Sequence, residues 1–497
     1  MKCFFALNPR GQIVPLLCTA ALSVISAAVL GCSGGPTMSG STGTVNVSIS
    51  DPPSCKNPNG NFVHVYITVR SVQAHTSKSA TDSTPGWQEL APQLNSAPMQ
   101  IDLFSTPQTT CILAQLGSAS LPVGSYQQLR LLLVSNSPAA SDAAPATNAC
   151  AGQGYNCVIL ADNSIHELDL SSQPNTGLKI PPGQIVGGPL MVSAGQSVDL
   201  NIDFNACASI VQESDGQFRL KPTLTAGQVS PNNSGIGGQI VDSVTHNPIA
   251  GTVLVAVEQA DANGIDRIVM EAATDSSGHF RFCPLPSGTF DVVAVAVGPA
   301  NLPYNATAIV NVPNGANLGA IPLIAENGAT GPAILQGFVT ASTSSGGASV
   351  DVSLAALQAI TFGAGMTMHQ LNIPLQTIQA TATGPEVDST GLISISSNAD
   401  CPNGSPANAN CGEYTLVVPG SNPNVGVYSS SGITYTAPAT GPVLFTVDAN
   451  TAVPMSGGDA DCMPSEMTTS KDFNNKALAV IAGSTTDVAR MDFTGCT

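Results

Sequence analysis

The chain has 497 residues, 14 Lys and Arg against 32 Asp and Glu, and a formal net charge of -18. Only 9% of residues are charged and 43% are hydrophobic, so the acids sit sparsely in an apolar, Gly- and Pro-rich background and do not form a solvated acidic tail. That balance excludes the basic footprint of a nucleic-acid binder and a polybasic grip on anionic lipid, and the length allows roughly two to four domains.

Residues 1–31 carry two cations, Lys2 and Arg10, and no acid, and Ile13 to Leu30 is almost wholly apolar. A basic head, an apolar middle and small residues before a cut site predict a removed secretory signal. A membrane-spanning helix fits less well, because Pro15 shortens the helical part and no basic stop-transfer cluster follows. The stretch "VLGC" (29 to 32) resembles the lipobox of bacterial lipoproteins, with Val29 and Gly31 in pattern and Leu30 a less usual occupant. The resemblance implies that Cys32 is diacylated, becomes the first mature residue and tethers the chain to a membrane, each buried methylene contributing about 0.8 kcal/mol. With Ser33 next, the resemblance implies sorting to the outer membrane of the cell envelope. Residues 32–43 then read as a flexible Gly/Ser linker.

Of the 13 cysteines, Cys3 and Cys18 leave with the signal and Cys32 carries lipid. An even number remains, which in an exported chain predicts disulfides. Cys150 with Cys157 and Cys401 with Cys411 each close a short loop, Cys462 with Cys496 staples the C-terminus, and the pairing of Cys55, Cys111, Cys207 and Cys283 stays open. Zinc is the competing reading, but no CxxC or Cys/His cluster at ligand spacing occurs.

Downstream of the linker, period-two alternation dominates. In "VHVYITV", Val63, Val65, Ile67 and Val69 share one face, and in "VDLNIDF" Val198, Leu200, Ile202 and Phe204 share one face with Asp199, Asn201 and Asp203 opposite. Runs of this kind, separated by Gly, Pro, Asn and Ser, predict an all-β chain of tandem antiparallel β-sandwich domains. "LAALQAI" (354 to 360) has the most helical look, against β-rich flanks. Turn-rich joints at 228–238 and 325–333 divide the chain into domains at 44–229, 237–325 and 333–497.

In the first of these, "GTVNVSISDPP", "VHVYITVRSVQAH", "GWQEL", "IDLF", "LPVGSYQQLRLLL", "LKIP", "VSAGQSVDLNIDFNACASI" and "FRLKPTL" follow one another in an order that resembles the bacterial lipoprotein family known as domain of unknown function 4382. No activity comes with that resemblance. "GGQIVDSVTHNPIAGTVLVAV", "TDSSGHFRFCPLPSGTFDVVAVAV" and "IPLI" in the second resemble carboxypeptidase regulatory-like domains, prealbumin-type sandwiches similar to carbohydrate-binding folds. Here Pro248 and Gly251 shape a turn, Asp275 and Gly278 predict a tight hairpin before Phe280 and Phe282, and Gly288 turns the chain again. The third domain opens with "ILQGFVTASTSSGGASVDVSLAAL", a faint echo of the second, and reads as another sandwich of no named family.

Motifs that carry chemistry are scarce. "GCSGG" (31 to 35) fits GxSxG formally, but that elbow belongs between a strand and a helix and not on a tether. No HExxH occurs, and none of His64, His75, His166, His246, His279 or His369 heads an HxxE, so the metal pair of a zinc carboxypeptidase is missing. His166 and Glu167 are strand neighbours that point to opposite faces. Asp199, Asn201, Asp203 and Asn205 read as a solvated strand face, because same-face neighbours lie about 7 Å apart, too far for one Ca²⁺. Asp459, Asp461 and Glu466 in "GGDADCMPSE" form a loop better suited to a hard cation, with an ordinary polar loop as the preferred reading. Trp87 and Tyr126 could stack on a sugar ring, with a core or turn role preferred.

These readings predict no catalytic residue, no metal ligand, no cofactor and no nucleic-acid partner. The expected protein is a non-enzymatic, lipid-anchored envelope protein with a structural, adhesive or ligand-presenting role toward a glycan or an envelope protein. A surface carbohydrate-binding module is the alternative, and an exported hydrolase the remote one.

Overall fold

A computed structural model describes residues 41–497 except 51–61, 79, 106–113, 140–142, 171–176, 181–183, 205–208, 213–216, 221–223, 230–234, 262–263, 287, 363–366, 379–386, 390, 400 and 452–461. Residues 1–31, read above as a signal, and Cys32, "GCSGG", Cys55, Cys111, Asn205, Cys207, Asp459 and Asp461 lie outside the described residues. The tether ends earlier than expected, since Thr42 and Gly43 already belong to the strand Thr42–Ser50.

The expected all-β architecture is what the sheets show. In the first segment a five-stranded sheet runs in the order Ile185–Val186, Leu224–Gln228, Ser197–Phe204, Thr42–Ser50, Ala114–Pro122. A larger sheet centred on Phe62–His75, Gln128–Leu133 and Cys157–Leu160 covers its apolar face. Val45, Val47, Ile49, Ile67, Leu131, Leu200, Ile202 and Phe204 meet in the core between them. Pairing is mixed: Thr42–Ser50 runs antiparallel to Ala114–Pro122 but parallel to Ser197–Phe204.

The middle segment is a second sandwich. His279–Phe282, Ile236–Asp242 and Asn317–Leu323 form one layer, and Asp266–Ala273, Thr252–Ala260, Thr289–Val297 and Thr307–Pro313 the other. Asp275 and Gly278 do make a tight turn, with the Gly278 amide donating to the Asp275 carbonyl at 2.9 Å and Gly278 at φ +78°. It is not a hairpin, because Asp266–Ala273 and His279–Phe282 belong to different sheets and the turn carries the chain across the sandwich.

The second layer does not stop at the segment boundary. Thr307–Pro313 pairs parallel with Asn424–Ser429 of the last segment, which pairs in turn with Gly432–Thr436. The resulting sheet is covered on both sides. Val292, Ala294 and Ala296 face the core of the middle sandwich, whereas Val293 and Val295 face a core built with Leu335, Val352, Leu371, Leu416 and Phe445. This explains why "VVAVAV" reads as an unbroken apolar run: with both faces covered, neither needs polar residues.

The last segment adds a sheet of Asn410–Val418, Ala333–Ala341 and Thr485–Asp487 and another around the long strand Val350–Phe362. "LAALQAI" lies inside that strand, so its helical look is overruled. Its backbone pairs with Thr367–Ile373 and Thr446–Asn450, and tertiary pairing outweighs the helix preference of Ala, Leu and Gln.

Candidate functional site

Three chain-local features expected from the sequence can be placed at once. Cys150 is bonded to Cys157, Cys401 to Cys411 and Cys462 to Cys496. Cys283 is disulfide-bonded as well. Tyr126 is buried, its hydroxyl donating to the Pro122 carbonyl at 3.0 Å, and one face of the Trp87 ring is covered by the Arg130 guanidinium at 4.1 Å. The two aromatics therefore serve packing, and no joint platform forms. His166 and Glu167 lie on Ile165–Asp169, where the His166 ring meets Ser164 at 2.9 Å and packs on Phe218.

The solvated reading of Asn201 and Asp203 is overturned: they are 4% and 5% exposed. Their strand lies beside Thr42–Ser50 in register, so Ser48 faces Asn201 and Ser50 faces Asp203. A polar ladder results, in which Ser48 donates to Asn201, Asn201 to Ser50 and Ser50 to Asp203 at 2.7–2.9 Å. The middle segment covers this face, with Thr225 donating to the Val269 carbonyl and Val269, Met270, Pro284 and Pro286 lining a cleft beside Asp203. Burial pushes the Asp203 carboxyl up to about 7.

A second buried polar group lies where the middle segment meets the last. Glu258 on Thr252–Ala260 sits directly across from Asp291 on Thr289–Val297, and Asp266 begins the flanking strand opposite Ala260. All three project from the sheet face that packs on the last segment. They are 0%, 5% and 1% exposed. His369, on Thr367–Ile373, approaches them from the other layer, its Nδ1 lying 2.6 Å from Asp291 Oδ2 and 3.6 Å from Asp266 Oδ2. The Asn372 amide donates to Glu258 Oε2 at 3.1 Å, and the Asn311 amide to Asp291 Oδ1 at 3.0 Å. Both carboxylate oxygens of Asp266, and Glu258 Oε1, are buried without a hydrogen-bond partner.

Burial first, and the neighbouring acids second, push Asp266 up to about 8 and raise Glu258 well above the ordinary carboxylate range. Burial also raises Asp291, against the opposing hydrogen bond from His369. The cation nearest in sequence, Arg267, is engaged elsewhere: it grips Asp448 at 2.6 Å, Glu466 at 2.5 Å and Asp261 at 3.0 Å. Glu466 thus makes an ion pair across the seam; Asp459 and Asp461, the other acids of its loop, lie outside the described residues. Burial pushes Asp448 up to about 6, with Arg267 opposing.

None of Glu258, Asp266, Asp291, Arg267 or Asp448 was singled out from the sequence. The usable signal was local: Glu258 and Asp291 interrupt the runs "VLVAVEQA" and "TFDVVAVAV", where alternation assigns them to a covered face. Among the described residues, no Ser or Cys nucleophile meets a His base with an orienting third group. No described helix is long and apolar enough to cross a membrane.

Comparison with known proteins places part of this frame. Residues 42–222 match the family described as domain of unknown function (DUF4382), which bears out the resemblance read from the first segment's motifs. No curated protein matches the sequence. Among solved structures, the chain is similar over 92% of its length to the Bacillus anthracis TIE protein, at 10% identity and a TM-score of 0.15, and spans 51% of that protein. A double mutant of the shaft pilin SpaA from Lactobacillus rhamnosus GG aligns over 57% of this chain and 98% of its own, at 13% identity and a TM-score of 0.17. The minor pilin GBS52 of Streptococcus agalactiae aligns over 52% and 95%, at 10% identity and 0.16. Likenesses of this size leave the fold to be read from the chain's own sheets.

Proposed function

We propose that this is a lipid-anchored protein of the bacterial cell envelope with a non-catalytic structural, adhesive or ligand-presenting role. The observation that carries the structural half is the sheet shared between the middle and last segments: Thr307–Pro313 pairs with Asn424–Ser429, so these parts form a stiff block with no hinge at the 325–333 joint. Stiffness suits a molecule that holds a surface away from a membrane. Two cross-links, Cys401–Cys411 and Cys462–Cys496, lie within that block, each restricting the unfolded chain in an oxidising compartment.

The anchoring half rests on the lipobox-like "VLGC", with Cys32 as the acylated residue, sorting to the outer membrane and the membrane as partner. The carboxypeptidase regulatory-like character of 237–325 belongs to the same proposal, where the seven-stranded sandwich of that segment supports it. Growth with a radiolabelled fatty acid tests the anchor. Label should enter the wild-type chain and be lost in Cys32→Ser; equal incorporation into both removes the anchoring claim.

A further inference from the structure

We propose that Asp266, Asp291 and His369 hold a first-row divalent cation, Mn²⁺ or Zn²⁺, at the seam between the middle and last segments. The ligand atoms of the three side chains all lie within 4.8 Å of one another, a separation that one ion can bridge.

Charge makes the geometry informative. The single imidazole is aimed at Asp291, its Nδ1 lying 2.6 Å from Oδ2. That leaves Asp266, 1% exposed, with two carboxylate oxygens that no donor reaches although Oδ2 points at the same ring nitrogen from 3.6 Å. Buried polar atoms ordinarily find partners, and two such oxygens on one buried side chain, beside a second acid, are an exception that a cation would resolve. Glu258 is a second, separate sign: fully buried, across the strand pair from Asp291, it keeps Oε1 without a partner. Arg267 does not relieve the deficit, since Asp261, Asp448 and Glu466 occupy it. A cation of charge two placed among these oxygens would neutralise the pair and supply the missing contacts.

The donor set selects the ion. An imidazole nitrogen with two carboxylates suits Mn²⁺ or Zn²⁺, whereas Ca²⁺ takes six to eight oxygens. His369 keeps about a fifth of its side chain accessible, which gives the ion an entry path. Because the acids come from one sheet and the imidazole from the other layer, the ion would fasten the two segments together. This inference stands whether or not Cys32 is acylated.

The test is calorimetric titration of the full chain, stripped with EDTA in detergent, with MnCl₂ and separately with ZnCl₂. One ion per chain is expected, with affinity at least tenfold weaker in Asp266→Asn and in His369→Gln. Absence of saturable uptake of both ions by the wild type overturns the proposal, as does unchanged affinity in a folded variant. Should both variants misfold, pulsed electron paramagnetic resonance of the Mn²⁺-loaded wild type decides: imidazole-nitrogen coupling supports the site, and its absence overturns it.

Discussion

Asp203 lies on a strand of alternating pattern with its carboxyl buried against Ser50, and burial moves it from an ordinary 3.8 to about 7. The sign of the consequence follows from linkage. The folded state holds this proton more tightly than the unfolded chain, so the penalty is nil below pH 4, grows between pH 4 and 7, and is complete above. A displacement of that size corresponds to a cost on the order of 4 kcal/mol at pH 8. Asp203→Asn, which keeps the size and can still accept from Ser50, should match the wild type near pH 4 and unfold at a higher temperature at pH 8. Calorimetric melting across that range reads it, and parallel pH profiles for the two proteins would refute the assignment. Its own strand alternates like a half-buried one, and from that pattern alone Asp203 belongs to a solvated face. The layer that covers it, from Val269, Met270 and Pro286, comes from more than 60 residues downstream, where no local pattern could announce it.

Between elements, the ion pairs of Arg267 do the joining. The guanidinium leaves Asp266–Ala273 and reaches Asp448 on Thr446–Asn450 and Glu466 on Glu466–Thr469, so one side chain of the middle segment ties two strands of the last. Asp448 is 2% exposed, and removing its partner strands a buried charge. Arg267→Ala should therefore destabilise by roughly 3 kcal/mol at neutral pH, read from the denaturant midpoint. Adding Asp448→Asn should restore part of the loss, because the stranded charge goes with it; a double variant as unstable as the additive sum would show that the pair is not coupled. The elements themselves were mostly legible. Period-two runs such as "VHVYITV" became strands because half-buried strands need that spacing: Val65, Ile67 and Val69 are fully buried as alternation requires, whereas Val63, where the register shifts between Phe62 and His64, is 44% exposed. "LAALQAI" failed for the opposite reason, since composition alone cannot reveal that Val350–Phe362 has strands to pair with on its flanks. The acidic site was half legible: Glu258 and Asp291 stand out in apolar runs, but only the fold brings His369, about 80 residues beyond Asp291, to meet them.

At the scale of the molecule, the sheet that runs from Asp266–Ala273 to Gly432–Thr436 decides which pieces can stand alone. Sequence punctuation at 325–333 marks a joint, yet Val293, Val295, Ala308 and Val310, on the far side of that joint from the last segment, help to form its core. A fragment comprising 237–325 would keep its own sandwich core around Val255, Phe282 and Ile309 but expose the other face of the sheet and an unpaired edge at Thr307–Pro313. A contiguous apolar face beside an open strand edge favours self-association. With Cys283→Ser in both pieces, because its disulfide partner lies outside 237–497, the expected result is that fragment 237–325 binds 8-anilinonaphthalene-1-sulfonate and runs as oligomers on gel filtration, whereas 237–497 stays monomeric, leaves the dye dark and melts in one transition. If the short fragment is instead a dye-silent monomer and the long one melts in two steps, the middle and last segments are independent domains and the shared sheet is not what unites them.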